Sequence, residues 1–83
     1  MIALQRKAKI SWHCRRGMLE LDLIFGHFLT HQLNQLTEQQ LTVFEDLLTY
    51  PDPDLYAWLM GYEQPKQKEL LDIVTFIRAN DKI

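Results

Sequence analysis

The run Met18-Leu19-Glu20-Leu21-Asp22-Leu23-Ile24-Phe25-Gly26-His27-Phe28-Leu29-Thr30-His31-Gln32-Leu33-Asn34-Gln35-Leu36 decides the fold. Leu21, Ile24, Phe25, Phe28, Leu29 and Leu36 recur at spacings of three and four, which draws one connected apolar stripe along a helix. The same rotation of about 100° per residue brings Arg16, Glu20, His27, His31 and Asn34 onto the opposite, polar face. The run is therefore read as a central helix, packed by its stripe and wet on its back. Asp22 falls near the edge of the stripe, where a carboxylate needs a hydrogen-bonding or cationic partner. Arg15 or a neighbouring helix N-terminus is the expected source.

Working upstream, Ala3 to His13 is helix-compatible, with Leu4, Ala8 and Trp12 recurring every four positions as a narrow stripe. Downstream, Thr37-Glu38-Gln39-Gln40 reads as a capping box that opens a third helix to about Thr49. Its inward face carries Leu41, Phe44, Leu47 and Leu48, and Pro51 ends it. Asp52-Pro53 is an N-cap followed by proline at the first helical position, which gives a fourth helix from Pro53 to Met60 with Leu55, Trp58 and Leu59 inside and Gly61 as its stop. Pro65 opens a last helix, in which Leu70, Ile73, Val74 and Ile77 line one face before Asn80 ends it. Five short helices with short connections predict an all-α bundle of antiparallel neighbours, with residues 1–83 forming one domain.

The totals agree. A chain of 83 residues, 47% hydrophobic and with three glycines and three prolines, lies near the lower size for a core that holds without staples. One cysteine excludes an internal disulfide and fits a reducing compartment. No apolar run approaches the roughly 20 residues of a membrane span, and the basic start lacks the apolar region of a secretory signal. Arg6, Lys7, Lys9, Arg15 and Arg16 all precede the first acid, Glu20, and leave four basic and eleven acidic residues in the remainder. That polarity, with no reading motif, argues against nucleic acid.

No catalytic set is legible. His27 and His31 have the i, i+4 spacing of a metal-binding helix, but Phe28 stands where a metalloprotease would have Glu and no third ligand follows. They are read as exposed histidines. Cys14 beside Arg15 and Arg16 invites a depressed thiol pKa, against which stands the usual fate of a lone cysteine as a small buried hydrophobe; the latter is preferred. There is no Ser-His-Asp order and no glycine-rich phosphate loop.

What remains is Cys14-Arg15-Arg16-Gly17-Met18-Leu19-Glu20-Leu21-Asp22, read as the start of the central helix. Two arginines there oppose the macrodipole at a cost of a few tenths to about 1 kcal/mol, and glycine inside a helix costs about 0.8 to 1 kcal/mol relative to alanine. Arg16 and Glu20 at i, i+4 allow a surface pair worth roughly 0.3 to 0.5 kcal/mol. That pair leaves Gly17 unexplained, whereas close approach of another backbone or a cofactor would explain it. An exposed contact site centred on Gly17 is expected, with Arg16 and Glu20 as charged flanks and the Trp12 indole framing it.

The segment from Trp12 to Asp22 resembles the SdhE/YgfY-type succinate dehydrogenase assembly factors, or flavinators, whose mark is an R-G-x-x-E motif, here Arg16-Gly17-Met18-Leu19-Glu20. Asp52-Pro53-Asp54-Leu55-Tyr56-Ala57-Trp58-Leu59 is similar to the family's second signature, and the resemblance covers essentially the whole chain. It implies a five-helix domain that is not an enzyme and holds no cofactor stably. Such a helper binds the flavoprotein subunit of succinate dehydrogenase, and in bacteria also that of fumarate reductase, and promotes covalent attachment of FAD to a histidine there. It further implies that Arg16, Gly17 and Glu20 are the functional core, with Arg15, Trp12 and Asp22 near it. A monomer in the bacterial cytoplasm is expected, since a motif starting at Trp12 leaves no room for a removable transit sequence. The rival reading is an antitoxin-like interaction module that partners a small membrane protein through the basic end.

Overall fold

The computed structural model describes residues 3–80. Five α-helices follow one another, α1 Leu4–His13, α2 Leu19–His31, α3 Glu38–Leu47, α4 Asp52–Leu59 and α5 Lys68–Asn80, with a 3-10 turn over Leu33–Gln35 after α2. Among the described residues there is no strand, and the chain folds into a body of 34 × 26 × 23 Å. The fold is the expected all-α bundle of five helices. The expected stop of α5 at Asn80 meets the edge of the described residues, and 81–83 lie outside them.

The core is built from the stripes that the spacing marked. Leu21, Ile24, Phe25 and Phe28 of α2, Leu41, Phe44 and Leu47 of α3, Leu55 and Leu59 of α4, and Leu70, Ile73, Val74 and Ile77 of α5 are all buried. Phe44 is the hub of an aromatic cluster, 6.1 Å from Phe25 and 5.1 Å from Phe28 between ring centroids, and Phe28 in turn meets Phe76 edge-on at 6.0 Å. α5 packs on α3 and α4, and α2 packs on α4. Among the described residues no helix is long and apolar enough to cross a membrane.

Two helix ends follow their sequence signals closely. Thr37 Oγ1 accepts from the Gln40 backbone N–H at 3.1 Å while the Thr37 N–H donates to Gln40 Oε1 at 2.8 Å, which completes the capping box of α3. After α4, Gly61 has φ of +81°, the Tyr62 N–H donates to the Ala57 carbonyl at 2.8 Å, and the Gly61 N–H donates to that of Trp58 at 3.2 Å. This pair of bonds is the Schellman closure, and it needs the left-handed conformation that glycine adopts without strain.

Elsewhere the boundaries move. The central helix stops at His31, and the chain continues as the 3-10 turn. At three residues per turn, Leu33 and Leu36 fall on the same side and both stay buried. α5 begins at Lys68, later than Pro65 suggested. The stripe assigned to α1 is out of phase, since Leu4, Ala8 and Trp12 are all exposed and Ile10 is the residue that α1 buries. α1 is otherwise held by charge: Arg6 pairs with Glu38 and, at 2.6 Å, with Glu45, and reaches Thr42 Oγ1 at 3.3 Å, all on α3.

Candidate functional site

The motif residues occupy the turn between α1 and α2 and the first turn of α2, and their backbone departs from the helical start that their sequence suggested. α2 opens at Leu19, with Met18 as an extended N-cap residue at φ −86° and ψ 121° that makes no side-chain cap bond. Arg15, Arg16 and Gly17 therefore precede the helix and carry no helical penalty. Across this turn the side chains alternate: Cys14 points inward, Arg15 outward, Arg16 inward, Gly17 outward, Met18 half inward and Leu19 outward. A period of two has replaced the helical phase, and it changes the assignment of Arg16.

Arg16 was placed on the outward face as the partner of Glu20; it lies inside, and no such pair forms. Its side chain is 15% exposed, and Nη1 donates to Asp52 Oδ1 at 3.4 Å across a carboxylate that is itself 26% exposed. Nη2 donates to the carbonyl of Leu48, the C-cap of α3, so the cation sits where the helix dipole ends. The guanidinium also lies over the Phe25 ring, 5.9 Å from its centroid, while Nε is buried without a partner. Asp52 does not cap α4 as expected. That helix starts one residue early, with Pro51 as its N-cap residue, and the Asp52 carboxylate turns to Arg16.

Asp22 is exposed and finds its partner just ahead of its own helix, accepting from the Arg16 backbone N–H at 3.3 Å. Cys14 is 2% exposed, and burial pushes its thiol up to about 12, with Arg16 opposing the shift and Asp22 adding to it. A thiol so placed stays protonated and inert, which decides for the buried hydrophobe. Arg15 and Glu20 are exposed, and neither side chain has an ion pair or hydrogen bond among the described residues. His27 and His31 stack at 4.3 Å on the outward side of α2, and no group of three or more metal-ligating side chains occurs among the described residues.

Gly17 stands in the open. Its φ is not positive, and a Cβ built on it meets no atom within 4 Å. Neither backbone strain nor crowding within the chain calls for glycine here. On the two helices that the turn joins, three large apolar side chains are exposed: Trp12 of α1 at 71%, and Leu19 and Leu23 of α2 at 65% and 55%. Trp12 was expected at the site, and its exposure leaves it available there; Leu19 and Leu23 were not singled out. The available signal was that neither belongs to the apolar stripe of α2.

The family described as the flavinator of succinate dehydrogenase matches residues 8–81, a span that includes both the Trp12–Asp22 block and the Asp52–Leu59 block. The chain belongs to this family. It is 56% identical over 77 residues to the FAD assembly factor SdhE of Legionella pneumophila (strain Lens), covering 93% of this chain and 96% of that one. It is 42% identical over 81 residues to the FAD assembly factor SdhE of Idiomarina loihiensis, covering 98% and 90%, and 43% identical over 70 residues to that of Coxiella burnetii, covering 84% and 85%. These relatives are assembly factors by name. In this flavinator the motif divides into two groups: Arg15, Gly17 and Glu20 are exposed, whereas the Arg16 side chain is bonded to Asp52 and Leu48 and its backbone N–H to Asp22.

Proposed function

We propose that this flavinator docks on the flavoprotein subunit of succinate dehydrogenase through the turn between α1 and α2 and promotes covalent attachment of FAD to that subunit. The observation that carries the reading is Gly17, a glycine that its own fold does not require. A site kept free of side-chain atoms, with an unpaired cation at Arg15 and an unpaired carboxylate at Glu20 on either side, suits close approach of a partner backbone. Trp12 on α1 and Leu19 and Leu23 on α2 expose apolar area on the helices flanking the turn, and tryptophan and arginine are among the residues most enriched in interface hot spots.

The whole chain acts as one domain and as a monomer, in the bacterial cytoplasm. It holds no flavin stably. The flavin and the partner's histidine would supply the chemistry of the attachment; the helper contributes position and electrostatics. The flavoprotein of fumarate reductase, built for the same attachment, is a second client. The antitoxin-like reading leaned on the basic end, and Arg6 of that end is already engaged by Glu38 and Glu45 of the same molecule.

The test is covalent flavin in succinate dehydrogenase, read by in-gel fluorescence in cells whose helper is replaced by a variant. Gly17→Arg and Glu20→Ala are each expected to lower it by roughly tenfold, the scale of a hot-spot residue, with thermal unfolding of the purified helper unchanged. Normal covalent flavin with both variants would refute the reading.

A further inference from the structure

We infer that Asp52, with the Leu48 carbonyl, is a positioning residue for the docking turn: it seats Arg16, and through Arg16 it fixes how Gly17 and Glu20 are presented. The inference rests on the proposed docking site and assigns a task to the Asp52–Leu59 block, which otherwise supplies core contacts alone.

The geometry joins the two blocks at one guanidinium. Arg16 leaves the α1–α2 turn and crosses to the α3–α4 turn, where Nη1 meets Asp52 in the first turn of α4 and Nη2 meets the C-cap carbonyl of α3. Its backbone N–H is fixed at the same time by Asp22, six residues on. Arg16 is thus held at both ends, and Gly17 follows directly from it in an open stretch with no neighbour within 4 Å of a Cβ.

Stability alone does not account for this seat. The ion pair is long at 3.4 Å, and the guanidinium leaves a buried Nε–H without an acceptor. A half-buried pair with an unmet donor is commonly matched or surpassed in stability by apolar residues of similar volume. What an apolar replacement would lack is direction: a planar cation with two separate hydrogen-bonded attachments, on a residue whose backbone N–H is tied as well, restricts the orientation of the turn.

The experiment combines covalent flavin in succinate dehydrogenase with amide exchange and thermal unfolding of the purified helper. Asp52→Ala and Arg16→Ala should each lower covalent flavin by roughly tenfold, the double variant should lower it no further, and Asp52→Glu, which keeps the carboxylate, should restore most of it. In Asp52→Ala the amides of Arg16 and Asp22 should exchange roughly tenfold faster while those of α5 keep their protection. Wild-type flavin in Asp52→Ala beside an impaired Arg16→Ala would overturn the inference, as would losses that multiply in the double variant or no recovery with Asp52→Glu. Should Asp52→Ala not fold, Asp52→Leu, close in size and without an acceptor, carries the same expectations. If Gly17→Arg and Glu20→Ala leave flavin normal, the docking site itself has failed, and the exchange rates of Arg16 and Asp22 alone decide whether Asp52 orders the turn.

Discussion

Cys14 shows how a neighbourhood of charge is overruled by burial. Two arginines follow it in sequence, yet desolvation outweighs the pull of Arg16 and pushes the thiol up to about 12 from its ordinary 9.0. The folded state therefore keeps a proton that the unfolded state gives up, so stability falls as the pH climbs from about 9 towards 12. Urea unfolding at pH 8 and pH 10 should show a loss of about 1 kcal/mol that Cys14→Ala removes. The same burial predicts that a thiol reagent at pH 8 labels Cys14 only after denaturant is added. Rapid labelling of the folded protein would show that the side chain is accessible.

At the scale of elements, spacing was a good guide wherever a helix buries a broad face. The α5 set of Leu70, Ile73, Val74 and Ile77 and the Thr37 capping box were both legible, because each rests on contacts within a few residues of one another. α1 was misread because three positions four residues apart, Leu4, Ala8 and Trp12, drew a line that the bundle does not use; Ile10 anchors this helix, and the Arg6 network completes the hold. The motif was misread for a related reason. Helical phase was run backwards through a turn, which put Arg16 outside and paired it with Glu20, while a partner 36 residues away leaves no periodic trace. Gly61 was read correctly from a single residue, since a left-handed closure has few alternatives. Gly61→Ala should cost more than about 1 kcal/mol, because it strains a φ of +81° and brings a Cβ within 2.8 Å of Arg78 Nη2. A thermal melt of this variant checks it; an unchanged midpoint would mean that the α4 end can rearrange.

For the molecule as a whole, the smallness of the core sets the tolerance. Stability in a chain of this size is a few kcal/mol out of large opposing terms, and Phe44 touches the aromatic rings that tie α2 to α3. Phe44→Ala should cost about 3 to 5 kcal/mol, enough to leave much of the protein unfolded near 37 °C. A circular-dichroism melt would show it, and a loss under about 1 kcal/mol would mean that the bundle is not held at this point. Reduced flavin attachment in that variant would report depletion of the helper, not damage to its surface. Loss of function therefore has to be read beside helper abundance for every core position.

The in-and-out alternation from Cys14 to Leu19 makes that separation possible within one short segment. A saturation scan of 14–20, scored once for cellular abundance and once for covalent flavin per molecule of helper, should produce two interleaved series: substitutions at Cys14 and Met18 register in the first score, and those at Arg15, Gly17 and Glu20 in the second. Arg16, tied inward yet responsible for what its neighbours display, is the position where the two scores should fall together.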